Sequence, residues 1–72
     1  MDVNLFVALR KINALTQSDM AKQLRVSRQL ISMIEISERK ISPQVEQRVL
    51  YEFGRDHVED VRALTDMIKK QK

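Results

Sequence analysis

The stretch from residue 16 to residue 35, TQSDMAKQLRVSRQLISMIE, decides the fold of this 72-residue chain. Thr16 and Asp19 have the spacing of a capping box, in which a hydroxyl and a carboxylate bond free backbone amides at the start of a helix. Ser27 is a second favourable N-cap, and only two residues separate it from the end of the preceding helix near Leu24. Two short helices joined by so short a turn must cross steeply. The stretch therefore predicts a helix-turn-helix in which the second helix projects.

Apolar residues elsewhere in the chain recur at spacings of three and four, without the alternation typical of strands, so the fold class is all-α. Ser42 and Pro43 supply a cap and a proline at the first position of a fourth helix, and Gly54 is placed to end it in a left-handed turn. Asp56 and Glu59 have the spacing of a further capping box. We predict a single helix-turn-helix domain over residues 1–72, with helices at about residues 2–12, 16–24, 27–35, 43–53 and 56–70.

Length and composition exclude several classes of function. A domain of this size cannot wall off a deep enzyme pocket, so a binding module is expected rather than an enzyme with a small-molecule substrate. The chain has no cysteine and one histidine, His57, which is interpreted as a solvated residue. We therefore expect no cofactor and no metal site. The longest apolar run, residues 5–9, is too short to cross a bilayer or direct secretion, which favours a soluble cytoplasmic protein.

Charge is distributed unevenly along the chain. Residues 10–40 carry seven basic and three acidic side chains, a balance of +4, whereas residues 41–68 carry three basic and six acidic ones, a balance of −3. The middle of the chain is therefore the part expected to face a polyanion, although ordinary solvated charge would give the same count.

The helix-turn-helix stretch resembles that of the Cro/CI/XRE regulators of phages and bacteria. The resemblance is carried by the Thr-Gln start, Met20 followed by Ala21, the Val-Ser turn at residues 26–27 and the Ile-Glu ending at residues 34–35. It extends more weakly over about residues 3–53 and implies a five-helix lambda-repressor-like domain. The implied function is sequence-specific binding of double-stranded DNA, as a Cro-like repressor of a phage or mobile element that acts as a homodimer.

In such regulators the third helix enters the major groove and the start of the second meets the DNA backbone. The resemblance implies base-facing roles for Ser27, Arg28, Gln29, Ser32 and Met33. It implies phosphate contacts for Thr16, Gln17, Arg25, Arg39 and Lys40. Arg10 and Glu35 match an ion pair between the first and third helices of the family, the alternative being two unpaired surface charges. Arg25 and Ser37 stand where the family often has glycine, so both turns must form without the most permissive residue.

The outward side of the third helix is partly apolar. Met33 is placed to contact a thymine methyl group, and Ile36 is expected to tuck under the following loop. Alternatively, Met33 and Ile36 mark a protein interface, which would suit an antirepressor that binds a cognate repressor and blocks its DNA binding. The fifth helix has a similar ambiguity, because its apolar residues Val61, Leu64 and Ile68 suit either the wall of the core or a dimer interface.

Overall fold

The computed structural model of the protein describes residues 1–70, with the side chains of residues 1–68. These residues form five α-helices and no strand, which confirms the all-α prediction. The helices are α1 (Val3–Ile12), α2 (Gln17–Leu24), α3 (Arg28–Glu35), α4 (Pro43–Phe53) and α5 (Arg55–Lys70). Gln71 and Lys72 of the predicted domain lie outside the described residues.

Four of the helices begin at a polar N-cap. Asp2, Thr16, Ser27 and Ser42 each accept a hydrogen bond from the backbone amide three residues further on, and Thr16 and Asp19 form the full reciprocal box. These bonds satisfy amides that have no partner inside the helix. For each of the first three helices, the residue predicted to start the helix is therefore its N-cap, and the helix itself begins one residue later.

The start of α5 differs from the prediction. Gly54 is the C-cap of α4, with φ 85° and ψ 140°, and α5 begins immediately after it at Arg55. Gly54 adopts a positive φ as expected, but its ψ lies outside the left-handed helical region. Because the helix has already begun, Asp56 lies inside its first turn and is not its N-cap. The predicted capping box at this position is wrong.

One hydrophobic core joins all five helices. Its fully enclosed members come two or three from each helix: Leu5, Phe6, Leu9, Met20, Ala21, Leu24, Ile31, Ile34, Val45, Val49, Val58 and Val61. Val26 and Leu30 are half-buried against this core. Each methylene group removed from water stabilises the fold by about 0.8 kcal/mol, whereas a short helix by itself is only marginally stable in water. The five helices therefore depend on this shared interior.

The expectation that Val61 lies in an interface is corrected by its burial. Val61 is only 2% exposed and belongs to the core, so it is not available as an interface residue. Ile12, three residues after the buried Leu9, is 52% exposed at the end of α1. Leu64 and Ile68, further along α5, are 52% and 70% exposed. None of the helices within residues 1–70 has the length and apolar character that a membrane crossing requires.

Candidate nucleic-acid interface

The outward face of α3 contains the five residues predicted to face bases. Ile31 and Ile34 are buried in the core, whereas Ser27, Arg28 and Gln29 at the start of the helix are exposed. Ser32 and Met33, one turn further on, are half-buried. The structure thus brings the predicted residues together on one side of one projecting helix, with the longest polar side chains at its N-terminal end.

The start of α3 carries both donors and a positive field. The Ser27 hydroxyl oxygen accepts a hydrogen bond from the Leu30 amide at 3.1 Å, which leaves its hydrogen free to be donated. The first backbone amides of the helix have no intrahelical partner, and the helix dipole adds partial positive charge there. This end of α3 is therefore suited to the acceptor-rich edge of a nucleic acid.

The turn before α3 is held by a residue that the sequence analysis did not identify. Arg25 adopts the left-handed conformation, with φ 60° and ψ 43°, where the family commonly has glycine. Arg48 of α4 donates hydrogen bonds from Nη1 to the carbonyl oxygens of Leu24 and Arg25, at 3.1 and 3.2 Å. Two carbonyls left free at the end of α2 are thereby satisfied. No sequence pattern pairs Arg48 with this turn, because the pairing depends on how α4 crosses α2.

The ion pair between Arg10 and Glu35 forms as predicted. Arg10 Nε lies 2.7 Å from Glu35 Oε2, and Arg10 Nη2 lies 3.0 Å from Glu35 Oε1. Arg10 also donates to the Leu15 carbonyl at 3.1 Å, so one guanidinium joins α1, the turn after it and α3. Such two-bond pairing fixes geometry as well as charge.

Both members of this pair are held in their charged forms. Burial alone would raise the pKa of Glu35, but hydrogen bonds from Arg10 and Gln17 and the positive charges of Arg10 and Lys11 outweigh it and lower that pKa. The hydrogen bond to Glu35 raises the pKa of Arg10 above its ordinary value, against a smaller effect of burial. The carboxylate at the end of α3 is therefore ionised throughout the neutral range.

Gln17, predicted to contact phosphate, is engaged by the same carboxylate. Its Nε2 donates to Glu35 Oε1 at 3.2 Å, which leaves the second amide hydrogen for another acceptor. Thr16 is the N-cap of α2: its hydroxyl oxygen accepts from the Asp19 amide, and its own amide donates to the Asp19 carboxylate, each at 3.0 Å. Hydrogen bonds to the Asp19 carboxylate, from the Thr16 backbone amide above all and also from the Thr16 side chain, lower the pKa of Asp19. The start of α2 is thus rigidly placed beside α3.

The loop after α3 folds back onto the end of that helix. The backbone amides of Glu38 and Arg39 both donate to the Met33 carbonyl, at 2.9 and 3.2 Å. Ser37 takes a positive φ of 64°, which lets the chain reverse there without glycine. Arg39 and Lys40 are exposed beside the C-terminal end of α3.

Ile36 does not tuck under this loop. Its side chain is 62% exposed and follows Met33 on the outward side of α3, so that expectation is wrong. The chain reverses immediately after Ile36, and the loop that follows covers the Met33 carbonyl instead of the Ile36 side chain.

His57 is less solvated than the sequence suggested. It is half-buried, its Nε2 lies 3.0 Å from Asn13 Nδ2, and its ring stacks on Phe53 with centroids 6.5 Å apart. Asn13 Nδ2 also donates to the Leu9 carbonyl at 2.7 Å, which fixes the orientation of the amide. Within residues 1–70 no three His, Cys, Asp or Glu side chains are grouped as metal ligands would be. His57 thus joins α5 to the end of α1.

Comparison with protein families identifies a family model that matches the chain. The family model described as "Helix-turn-helix" matches residues 8–50, more than half of the chain, from the middle of α1 almost to the end of α4. The matched region includes the helix pair, the left-handed turn at Arg25 and the loop that carries Arg39 and Lys40. Searches of curated proteins and of solved structures found no match.

Proposed function

The chain belongs to the helix-turn-helix family of the Cro/CI/XRE type, a family of DNA-binding transcription regulators, and from this premise we propose that it is a sequence-specific repressor of a phage or mobile element. It acts in the cytoplasm by occupying operator DNA and needs no cofactor. The observation that carries the proposal is the outward face of α3, where exposed Ser27, Arg28 and Gln29 stand at the positive end of a projecting helix.

In the proposed complex α3 lies in the major groove and reads base edges. Arg28 donates two hydrogen bonds to N7 and O6 of guanine, and Gln29 pairs with N6 and N7 of adenine. Ser32 bonds a base one turn further on, and the half-buried Met33 contacts a thymine methyl group. The ion pair of Arg10 with Glu35 does not touch DNA in this arrangement, but holds α3 at a fixed angle to α1.

Contacts to phosphate fix the position of α3 in the groove without reading sequence. Thr16 and Gln17 approach one strand at the positive end of α2, where the Gln17 amide retains a free hydrogen to donate. The other three proposed phosphate contacts are exposed cations in the turn before α3 and the loop after it: Arg25, Arg39 and Lys40.

The test is to select the preferred duplex from a random pool and then to compare two variants on it. Arg28→Ala should cost about 1 to 3 kcal/mol on that duplex and relax the preference at one position, because a pair of base contacts is lost. Lys40→Ala should weaken binding to every duplex alike and lower the salt dependence, because it removes a phosphate contact. A folded protein that binds no duplex with sequence preference would overturn the proposal.

We propose further that the regulator is a homodimer joined through the second half of α5. Leu64, Met67 and Ile68 are 52%, 59% and 70% exposed, at the helical spacing of one apolar stripe. A symmetric pair of these stripes would set two α3 helices on half-sites about one helical turn of DNA apart. Sedimentation should show that Leu64→Glu with Ile68→Glu turns a dimer into a folded monomer. If the double variant sediments with the mass of the unmodified dimer, this surface is not the dimer interface.

A second candidate function is favoured by the exposure of Ile36. A 62% exposed isoleucine next to Met33 is an adaptable apolar surface of the kind that binds protein. An antirepressor would use it to bind a cognate repressor encoded nearby and block its access to DNA. Met33→Asp with Ile36→Asp should abolish co-purification with that repressor, whereas Arg28→Ala should leave the complex intact. A complex that survives the double change would exclude this function for the α3 surface.

A further inference from the structure

A groove runs between the end of α2 and the outer side of α4, next to the turn that carries Arg25. The residues that define the α2–α4 groove here are Leu24, Arg25, Arg48, Leu50, Tyr51 and Arg55; three glutamines and one acid, Glu52, complete its lining. Three cationic side chains therefore lie beside Leu50 and Tyr51 in one concavity, while Leu24 is buried beneath it. Arginine and tyrosine are the residues most enriched where proteins bind each other tightly.

Tyr51 has no role in the fold that would explain its position. Its side chain is 86% exposed, whereas its neighbours in the sequence at positions 49 and 50 are buried or half-buried. An aromatic ring offers a large contact area and has few rotatable bonds to immobilise on binding. Arg48 is already fixed beside Tyr51 by its hydrogen bonds to the α2 carbonyls. The groove is thus partly ordered before any partner arrives.

The same chain carries a surface of complementary charge. Asp56 and Asp60 are exposed one helical turn apart on α5, and Glu59 lies beside them; these three residues define the acidic face of α5. Glu59 Oε1 is 3.4 Å from Arg62 Nε, but neither aspartate takes part in an ion pair with a side chain of residues 1–68. The exposed Ala63 continues this face with an apolar group. The acidic face of α5 therefore offers carboxylates that can pair with the cations of the groove and an apolar group that can contact its apolar residues.

Groove and acidic face do not meet within one molecule. Asp56, Glu59 and Asp60 are exposed, and among the described side chains none of the three forms an ion pair with a cation of the groove. A contact between the two surfaces therefore joins one copy to the next, head to tail, and differs from a symmetric contact through Leu64 and Ile68. Phosphates would use the cations of the groove but leave Leu50 and Tyr51 uncovered, which favours a protein face over a DNA backbone.

We propose that the α2–α4 groove binds the acidic face of α5 of a second copy. The contact is small and salt-sensitive, so it is weak between free molecules. It becomes effective where DNA holds two copies next to each other, because the local concentration of the second copy is then high. The consequence is cooperative occupation of neighbouring sites along a duplex.

The test uses full-length, isotope-labelled protein in which Leu64→Glu and Ile68→Glu remove any symmetric contact. Amide NMR signals of Tyr51, Arg55 and Asp60 should shift together as protein concentration rises at low salt, and the shifts should vanish at high salt. Arg55→Glu or Asp60→Arg should each weaken this association about tenfold or more, because like charges then face each other. Arg39→Glu is the matched control, since it makes the same charge change outside the groove and should leave the shifts in place.

Mixing the two charge-reversed variants provides the decisive measurement. Unlabelled Asp60→Arg protein added to labelled Arg55→Glu protein should restore the shift at Tyr51, because the reversed charges are again complementary. Absence of concentration-dependent shifts at Tyr51, shifts that persist in both single variants, or a Tyr51 signal that responds only to added duplex DNA would overturn the proposal. The last result would assign the groove to the DNA backbone. The titrations between protein molecules contain no DNA, so their result does not depend on whether an operator sequence is found.

Discussion

Arg25 holds a backbone conformation that L-residues adopt at a cost. Its φ of 60° and ψ of 43° place the β-carbon close to the following carbonyl, a strain of about 1 to 2 kcal/mol that glycine does not have. Arg25→Gly should therefore raise the free energy of unfolding by about 0.5 to 1 kcal/mol, the remainder being lost to the greater freedom of glycine in the unfolded chain. Urea denaturation of the two proteins measures the difference.

Ala14 is the control for that substitution, because it has a similar φ of 56° in the turn after α1. Ala14→Gly should stabilise the fold by a comparable amount and leave DNA affinity unchanged. Arg25→Gly should stabilise the fold while weakening DNA binding, because a cation is lost next to α3. Destabilisation by both glycines would contradict the assignment of strain to these turns.

Glu35 makes stability depend on pH in the acid range. Its pKa is lowered in the folded state, so the stabilisation that it provides is complete above the pKa of the unfolded chain and is lost as pH falls through the folded value. Glu35→Gln should cost about 1.5 kcal/mol at neutral pH and flatten the acid side of the stability profile. Asp19 and Glu46, whose pKa values are also lowered, keep part of the slope.

The partner substitution separates charge pairing from burial at Glu35. In Arg10→Met the guanidinium is gone but the desolvation of Glu35 remains, so the folded-state pKa of Glu35 should rise, and the stability lost through this carboxylate as pH falls should shrink or change sign. Thermal unfolding followed across a pH series measures both variants. An unchanged acid slope in Glu35→Gln would mean that this carboxylate does not govern the acid transition.

At the scale of the element, the apolar stripe of α5 has a buried first part and an exposed second part. Val61 is 2% exposed and Leu64 is 52% exposed, although both belong to one apolar stripe. Val61→Ala should lower the free energy of unfolding by about 2 kcal/mol, through lost burial and the cavity left behind. Leu64→Ala should change the stability of the monomer by less than about 0.5 kcal/mol. The measurement belongs at dilutions where any dimer has dissociated, and equal costs would contradict the division.

α4 has a comparable double role. Val45 and Val49 supply its buried side, while Arg48 on another side bonds the end of α2 and fixes the turn that aims α3. The angle of α3 is therefore set from two directions, by Arg48 at its N-terminal end and by the Arg10 pair with Glu35 at its C-terminal end.

At the scale of the whole molecule, charge governs how strongly DNA binding depends on salt. Replacing Arg25, Arg39 and Lys40 by glutamine removes three proposed phosphate contacts, and the slope of log affinity against log salt should become shallower by about 0.9 per contact. Arg55→Gln with Arg62→Gln, neither of which is a proposed phosphate contact, should leave the slope nearly unchanged. Equal effects of both sets would mean that only net charge matters and that no defined surface faces the duplex.

Much of the fold could be predicted from local pattern. The caps at Thr16, Ser27 and Ser42 placed three helix starts within one residue, because N-capping depends on side chains a few positions apart. The apolar periodicity, in contrast, did not predict which residues near the helix ends are buried. Ile12 and Leu64 continue an apolar stripe beyond the point where another helix covers it, so periodicity alone could not show that they are exposed.

The sequence by itself determined the five helices, the helix-turn-helix and the residues presented on the outward side of α3, since caps, helical period and turn length act over short distances. Only the tertiary structure decided that Val61 is core, that Ile36 is exposed, and that Arg48 holds the turn at Arg25. It also brought Gln17 to Glu35 and joined groove residues from α2 and α4. These outcomes depend on how helices distant in sequence cross, and that is fixed by the packing of all five around one core.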